Sequence, residues 1–198
     1  MIKKIELILR NIAGARLVVH NFSEKAKKEI RDKQQKKVKK AKEERNPKAE
    51  FLEARYIDGK GRECVPITAF KKSIVTAATA FDDMKKVALR QSIFVYSTDN
   101  PAADLLPIET WSGKAAIGMM REDAVTIGIN TRGLSYRPEY QEWQLRVTVE
   151  YNSRMLSEEQ LLALVTQAGW GVGICEGRPE KTSALGWGRY EIHDSKPL

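Results

Sequence analysis

Polar and apolar residues alternate from residue 2 to residue 10, "IKKIELILR", with Ile5, Leu7 and Leu9 on one side. This period of two predicts a strand with one buried face. The pattern returns in "WQLRVTVEY", where Trp143, Leu145, Val147, Val149 and Tyr151 share a side. Between them, "SIFVYS" at 92–97, "LLPIETW" at 105–111 and "AVTIGI" at 124–129 are short apolar runs bounded by turn residues, and they predict further strands. "FLEARYIDGKGRECVPI" holds two short extended runs around Asp58-Gly59, a hairpin signal. A helical period takes over in "TAFKKSIVTAATAFDDMKKVAL", residues 68–89, where Phe70, Ile74, Ala77, Ala78 and Phe81 fall on one face and Thr68 stands as a possible N-cap. Ser157 and Gln160 make a capping box ahead of Leu161, Leu162, Leu164 and Val165, and Gly169 stands where a C′ glycine would close that second helix. Strand, helix, several strands, helix, last strand is the order of a split βαβ plan. It predicts one α+β domain over residues 1–198, ferredoxin-like or RNA-recognition-motif-like, with a basic insertion at 21–50 and a C-terminal glycine-rich loop.

Charge changes this picture at one place. The chain carries a formal +8, and residues 25–48, "KAKKEIRDKQQKKVKKAKEERNPK", hold 12 of its 34 basic residues but 4 of its 26 acids, which leaves 22 of each elsewhere. A segment so poor in apolar residues cannot bury a face, so it is expected to be a solvated, helix-prone insertion or loop whose removal leaves the domain folded. Such an arm is also the electrostatic footprint of a polyanion binder, with Lys27, Lys28, Arg31, Lys36, Lys37, Lys39 and Lys40 as candidate contacts. No run of about 18 apolar residues occurs, so no membrane-spanning helix is expected. Cys64 and Cys175 fit a reducing cytoplasm, and two cysteines with two distant histidines hardly make a zinc site; no metal or cofactor is expected.

Chemistry concentrates near the end. "GVGICEGRPEKTSALGWGRYEI", residues 171–192, holds Gly171, Gly173, Gly177, Gly186 and Gly188. Glycine weakens a strand, so this density marks backbone that turns with positive φ or lies close to something else. Backbone N–H groups exposed in this way can approach phosphates, and Arg178, Lys181 and Arg189 supply charge beside them. Lys71 and Lys72, expected in the first turn of the first helix, oppose the positive end of its dipole, a placement explained either by a docked anion or by simple solvation. "NTRGLSYRPEYQEW" adds Arg132, Tyr136, Arg137 and Tyr140, suited to stacking on bases and pairing with phosphates, or else an ordinary loop with aromatic anchors.

The glycine segment, with its G-h-G stretch, basic middle and closing G-h-G-aromatic strand after the second helix, resembles the C-terminal glycine-rich loop of the repeat-associated mysterious protein superfamily. "VPITAFKKSIVTAA" is similar to the superfamily's element in which a short strand leads through a Pro and a hydroxyl residue into a lysine-bearing helix. The resemblance, shared with phage-encoded relatives, implies an RNA-recognition-like fold that binds single-stranded RNA through its backbone, as the backbone subunits of CRISPR effector complexes do. It implies a non-catalytic binder, homo-oligomeric along the strand or joined to other subunits of a ribonucleoprotein complex. Two alternatives stay open: a phage single-stranded DNA-binding or annealing protein, and a metal-independent endoribonuclease using His20 as general acid or base. No paired carboxylates, phosphate-binding P-loop, nucleophile elbow or metal-spaced cluster occurs in the sequence.

Overall fold

The computed structural model describes residues 1–22, 30–32, 34–35, 45–126, 132–181 and 185–198. Four strands form the centre: β1 (Ile2–Asn11), β5 (Ile93–Ser97), β9 (Gln144–Asn152) and β10 (Tyr190–Pro197). They lie in the order β10-β1-β9-β5, every neighbouring pair antiparallel. Two connections cross this sheet through a helix, β1 to β5 through α2 (Ile67–Ala77) and β9 to β10 through α4 (Glu158–Gln167). Two split βαβ units interleaved in this order make the ferredoxin-like, α+β plan.

The alternation read from the sequence sets which face is buried. Ile5, Leu7 and Leu9 of β1 and Leu145, Val147 and Val149 of β9 point into the core. There they meet Phe70, Ile74 and Val75 of α2 and Leu161, Leu164 and Val165 of α4. The sheet then grows past β9 on the same edge as β5: β6 (Leu105–Glu109) pairs with the far end of β9, β4 (Glu63–Pro66) with β6, and β3 (Tyr56–Ile57) with β4. Asp58 caps the β3–β4 turn by accepting from the backbone of Lys60 and Arg62 at 2.9 Å each, and the positive φ falls at Gly61. A second sheet joins β2 (Leu17–Val18), β8 (Arg132–Tyr140) and β7 (Met119–Thr126), with α1 (Pro47–Glu53) packed on β8.

Several expectations are corrected. The first helix does not run from 68 to 89; α2 ends at Ala77, a 3₁₀ turn follows, and a separate helix α3 occupies Lys86–Ser92. The return into β5 is made by α3, which ends at Ser92 immediately before the strand begins at Ile93. The N-cap of α2 is Pro66 rather than Thr68, which moves Lys71 and Lys72 into the second turn. The segment 132–140 is a strand paired along β7, and Tyr140 and Trp143 are buried. The stretch Arg45–Asn46 already belongs to the body: Asn46 caps α1, and Arg45 donates to the Leu134 carbonyl at 2.7 Å. Gly169 does not close α4; the helix continues through a π-helical turn, Ala168–Val172, to Gly173 at φ +71.

Gly169 is glycine for a different reason. A β-carbon there would drive into the carbonyl of Tyr190, and one at Gly188, which also has φ +64, into the carbonyl of Ile174. We expect Gly169→Ala and Gly188→Ala each to lower stability by at least about 2 kcal/mol in urea denaturation. Gly59→Ala, with nothing within 4 Å of the added carbon, should change it by less than about 1 kcal/mol.

Candidate nucleic-acid interface

Val19 hydrogen-bonds the carbonyl of Pro138 and Asn21 that of Ala54, so the chain leaving β2 runs between β8 and α1. Those elements enclose a cleft of about 1020 Å³. His20, Phe22, Arg31, Arg45, Tyr136 and Arg137 are among the residues lining it. The His20 and Phe22 rings stack with centroids 3.7 Å apart. Arg45 donates to Glu50 at 2.8 Å, and its guanidinium lies 5.9 Å from the centre of the Tyr136 ring. Of the basic-arm candidates, Arg31 reaches this cleft; Lys27, Lys28, Lys36, Lys37, Lys39 and Lys40 lie outside the described residues.

Beneath the cleft, charge is tied up internally. Arg16 donates to Glu139 at 2.9 Å, and Arg121 bridges Glu139 at 2.6 Å and Asp123 at 2.9 Å. Arg137 in turn donates to Asp123 at 2.6 Å and Glu176 at 3.4 Å. Three arginines and three acids thus alternate from Arg16, just before β2, across the β7–β8 ribbon to the glycine loop, and Arg137, 7% exposed, spends its charge inside that series. Glu63 makes a second anchor, accepting from Tyr140 at 2.6 Å, from the Gly118 backbone at 2.8 Å and from Arg55 at 2.9 Å. A buried carboxylate with this many donors joins the two sheets without an unsatisfied oxygen.

The glycine loop folds onto its own protein. Ile174 N–H donates to Gly188, Glu176 to Val18, Trp187 to Gly177 and Gly188 to Arg16. Gly171 lies within the π-helical turn, and Gly173, Gly177, Gly186 and Gly188 all have positive φ. Arg178 donates to the Cys175 carbonyl at 2.7 Å and to Glu180 at 2.9 Å, bracing the loop from within. Lys181 and Arg132 are exposed. Lys71 is half-buried with its ammonium 4.5 Å from the centre of the Phe94 ring, and burial lowers its pKa; Lys72 is exposed.

On the sheet face away from the helices, β1 and β9 carry a lattice of opposite charges. Lys4 pairs with Glu150 at 3.2 Å, Arg146 lies 3.8 Å from Glu6, and Arg10 donates to Gln144 at 3.0 Å, which in turn donates to Glu109 at 2.9 Å. Burial pushes both thiols, Cys64 and Cys175, up to about 12, which disfavours the thiolate at neutral pH. Among the described residues no cluster of His, Cys, Asp and Glu could hold a metal ion, and no helix is long and apolar enough to cross a membrane.

Two cation–aromatic pairs escaped the sequence reading. Trp170 and Trp187 each carry an arginine on the ring: Arg189 at 4.5 Å and Arg121 at 4.6 Å from the ring centres. Both tryptophans stand inside G-W-G triplets, the one signal that marks them.

The ion-pair chain makes acid sensitivity testable. Burial raises the carboxyls of Asp123 and Glu139, but hydrogen bonds and charge from Arg121, with Arg137 at the first and Arg16 at the second, outweigh it and hold both below the usual carboxylate range. A pKa lowered in the folded state gives stability that is complete above the unfolded values of about 3.9 and 4.3 and is lost as pH falls through the lower folded values. We expect Asp123→Asn/Glu139→Gln to be less stable than wild type at pH 7 and to show a shallower decline below about pH 4.5, measured by urea denaturation across pH; parallel curves would assign these acids no stabilising role.

The sequence matches no protein-family model and no curated protein. Among solved structures, all of the chain aligns with a chain of the Type III-B Cmr-beta bound to cognate target RNA, solved by cryo-EM, at 9% identity and a TM-score of 0.48; it spans 61% of that chain's length. It also aligns with Cmr6 from Pyrococcus furiosus at 13% identity and a TM-score of 0.41, over 98% of this chain and 99% of that one. The α+β, ferredoxin-like assignment rests on the strand order itself.

Proposed function

We propose that this chain binds single-stranded RNA without catalysis and largely without regard to sequence, as a backbone-type subunit of a ribonucleoprotein assembly in the manner of repeat-associated mysterious proteins. One observation carries the reading. All the excess positive charge sits in residues 25–48, and the segment's described residues Arg31 and Arg45 line the large cleft, whereas the rest of the chain balances its charge. A folded body whose arginines are largely consumed by internal acids, joined to a strongly cationic segment at a cleft, attracts a polyanion through that segment. Exposed Arg132 and Lys181 are further candidate phosphate contacts, while Arg137 and Arg178 support the loop and cleft from within. In this reading the protein acts in the cytoplasm, and further copies along the strand or other subunits complete the assembly.

Fluorescence anisotropy with labelled single strands tests it. Each phosphate neutralised gives a slope of about −0.7 in the logarithm of the binding constant against that of salt, so several contacts should weaken binding by one to three orders of magnitude between about 50 and 200 mM salt. An affinity insensitive to salt contradicts the proposal, and tighter binding of DNA than of RNA redirects it to a DNA-binding protein. Replacing residues 25–44, which hold 10 Lys and Arg, by a short Gly/Ser linker keeps Arg45 and the α1 cap. That variant should melt close to wild type and show a shallower slope.

A second expectation addresses His20, which lines the cleft. The wild-type protein should leave a labelled RNA strand uncut over long incubation with or without divalent metal. Metal-independent cutting that disappears in His20→Ala would establish the endoribonuclease instead, because a general acid or base contributes about 10²- to 10⁴-fold to rate.

A further inference from the structure

Trp170 is 61% exposed, whereas Trp143 is fully buried and Trp111 is 43% exposed with its indole N–H donated to Asn11 at 2.9 Å. Its backbone is pinned: the π-helical turn at Ala168–Val172 holds it, and Gly169 beside it lies against the Tyr190 backbone. So large an apolar ring, fixed at its root and left in water, gains nothing from the core of its own protein.

One face of the ring is already occupied. The Arg189 guanidinium carbon lies 4.5 Å from the ring centre. Unlike Arg16, Arg121, Arg137 and Arg178, Arg189 has no carboxylate partner among the described residues. Its Nε is buried without a hydrogen-bond acceptor, so the side chain is held by the indole and by packing rather than by an ion pair. Gly186, with φ +61, borders the guanidinium; an added β-carbon there would sit 3.8 Å from Nη1.

Resting on the RNA-binding reading above, we propose that Trp170 and Arg189 form a nucleobase step: one base of the strand stacks on the indole face turned away from Arg189, and the guanidinium takes a neighbouring phosphate at its Nη edge. The stack is indifferent to base identity because every base has a π-face, and the arginine polarises the ring from behind while countering backbone charge. This step lies on the glycine loop, so a single strand would be gripped there as well as by the basic segment. Gly186 turns the chain with φ +61 beside the arginine, and Gly188 seats the loop against the Ile174 carbonyl.

The test compares the full-length protein with Trp170→Ala, Trp170→Phe and Arg189→Gln by anisotropy on three labelled probes: a 12-mer of uridine, the same ribose-phosphate chain without bases, and a 12-mer of thymidine. Trp170→Ala should weaken binding to the two base-bearing strands about 5- to 100-fold, Trp170→Phe should lose less, and neither should change affinity for the base-free chain. Arg189→Gln should weaken all three and reduce the salt slope by about one phosphate. Trp170→Ala binding uridine 12-mer as tightly as wild type overturns the nucleobase step and leaves the RNA-binding reading intact. An equal loss on the base-free chain also overturns it, and wild type binding none of the probes overturns both readings.

Discussion

The last strand can join the sheet because glycines let backbone lie directly on backbone. Tyr190 begins β10, and its carbonyl rests against Gly169 while the Ile174 carbonyl rests against Gly188. With a β-carbon at either place, the turn after α4 and the start of β10 could not occupy the same space. Everything downstream depends on this seating. Tyr190 reaches Ser73 of α2 with its hydroxyl at 3.2 Å, Ser73 reaches the Ala168 carbonyl at 3.3 Å, and Arg189 receives the Ile12 N–H through its carbonyl. Both helices and both outer neighbours of the closing turn are thereby fixed to one point. At Gly169 and Gly188 the glycines of that segment are first a folding requirement.

Rigid seating has an electrostatic counterpart. The body of the protein uses arginine as a structural tie, pairing it with acids across the β7–β8 ribbon, at the Glu63 anchor and over the helix-free sheet face. Such pairs add no net charge and offer little to a passing polyanion. Among the cations outside the scheme are the lysine-rich segment, through its excess over acids, the exposed Arg132 and Lys181, and Arg189, through its placement on an aromatic ring instead of a carboxylate. The contrast between Arg137 and Arg189 is instructive, since both are arginines beside aromatic-rich sequence, and only their three-dimensional surroundings assign one to the scaffold and leave the other available.

Most of the fold was legible in the residues. A strict period of two in β1 and β9, a capping box at Ser157 and Gln160, and the order of elements suffice for the α+β plan, because burial of one face and satisfaction of helix ends are local demands. The charge imbalance is likewise a property of the chain and is independent of its folding. The sequence could not say where the long helical pattern after Thr68 stops, because Ala77, Ala78 and Phe81 keep the helical period although the helix gives way to a 3₁₀ turn at Ala78. It could not distinguish a strand from a loop at 132–140, where partners for the backbone come from β7. Nor could it tell why Gly169 is glycine: a C′ residue and a contact residue look alike until Tyr190 is brought back beside it from the end of the chain. Local periodicity, capping and charge were determined by the sequence alone, whereas the choice of which arginine is spent and which indole is left in water was decided by contacts between residues far apart in the chain, and only the folded structure brings these together.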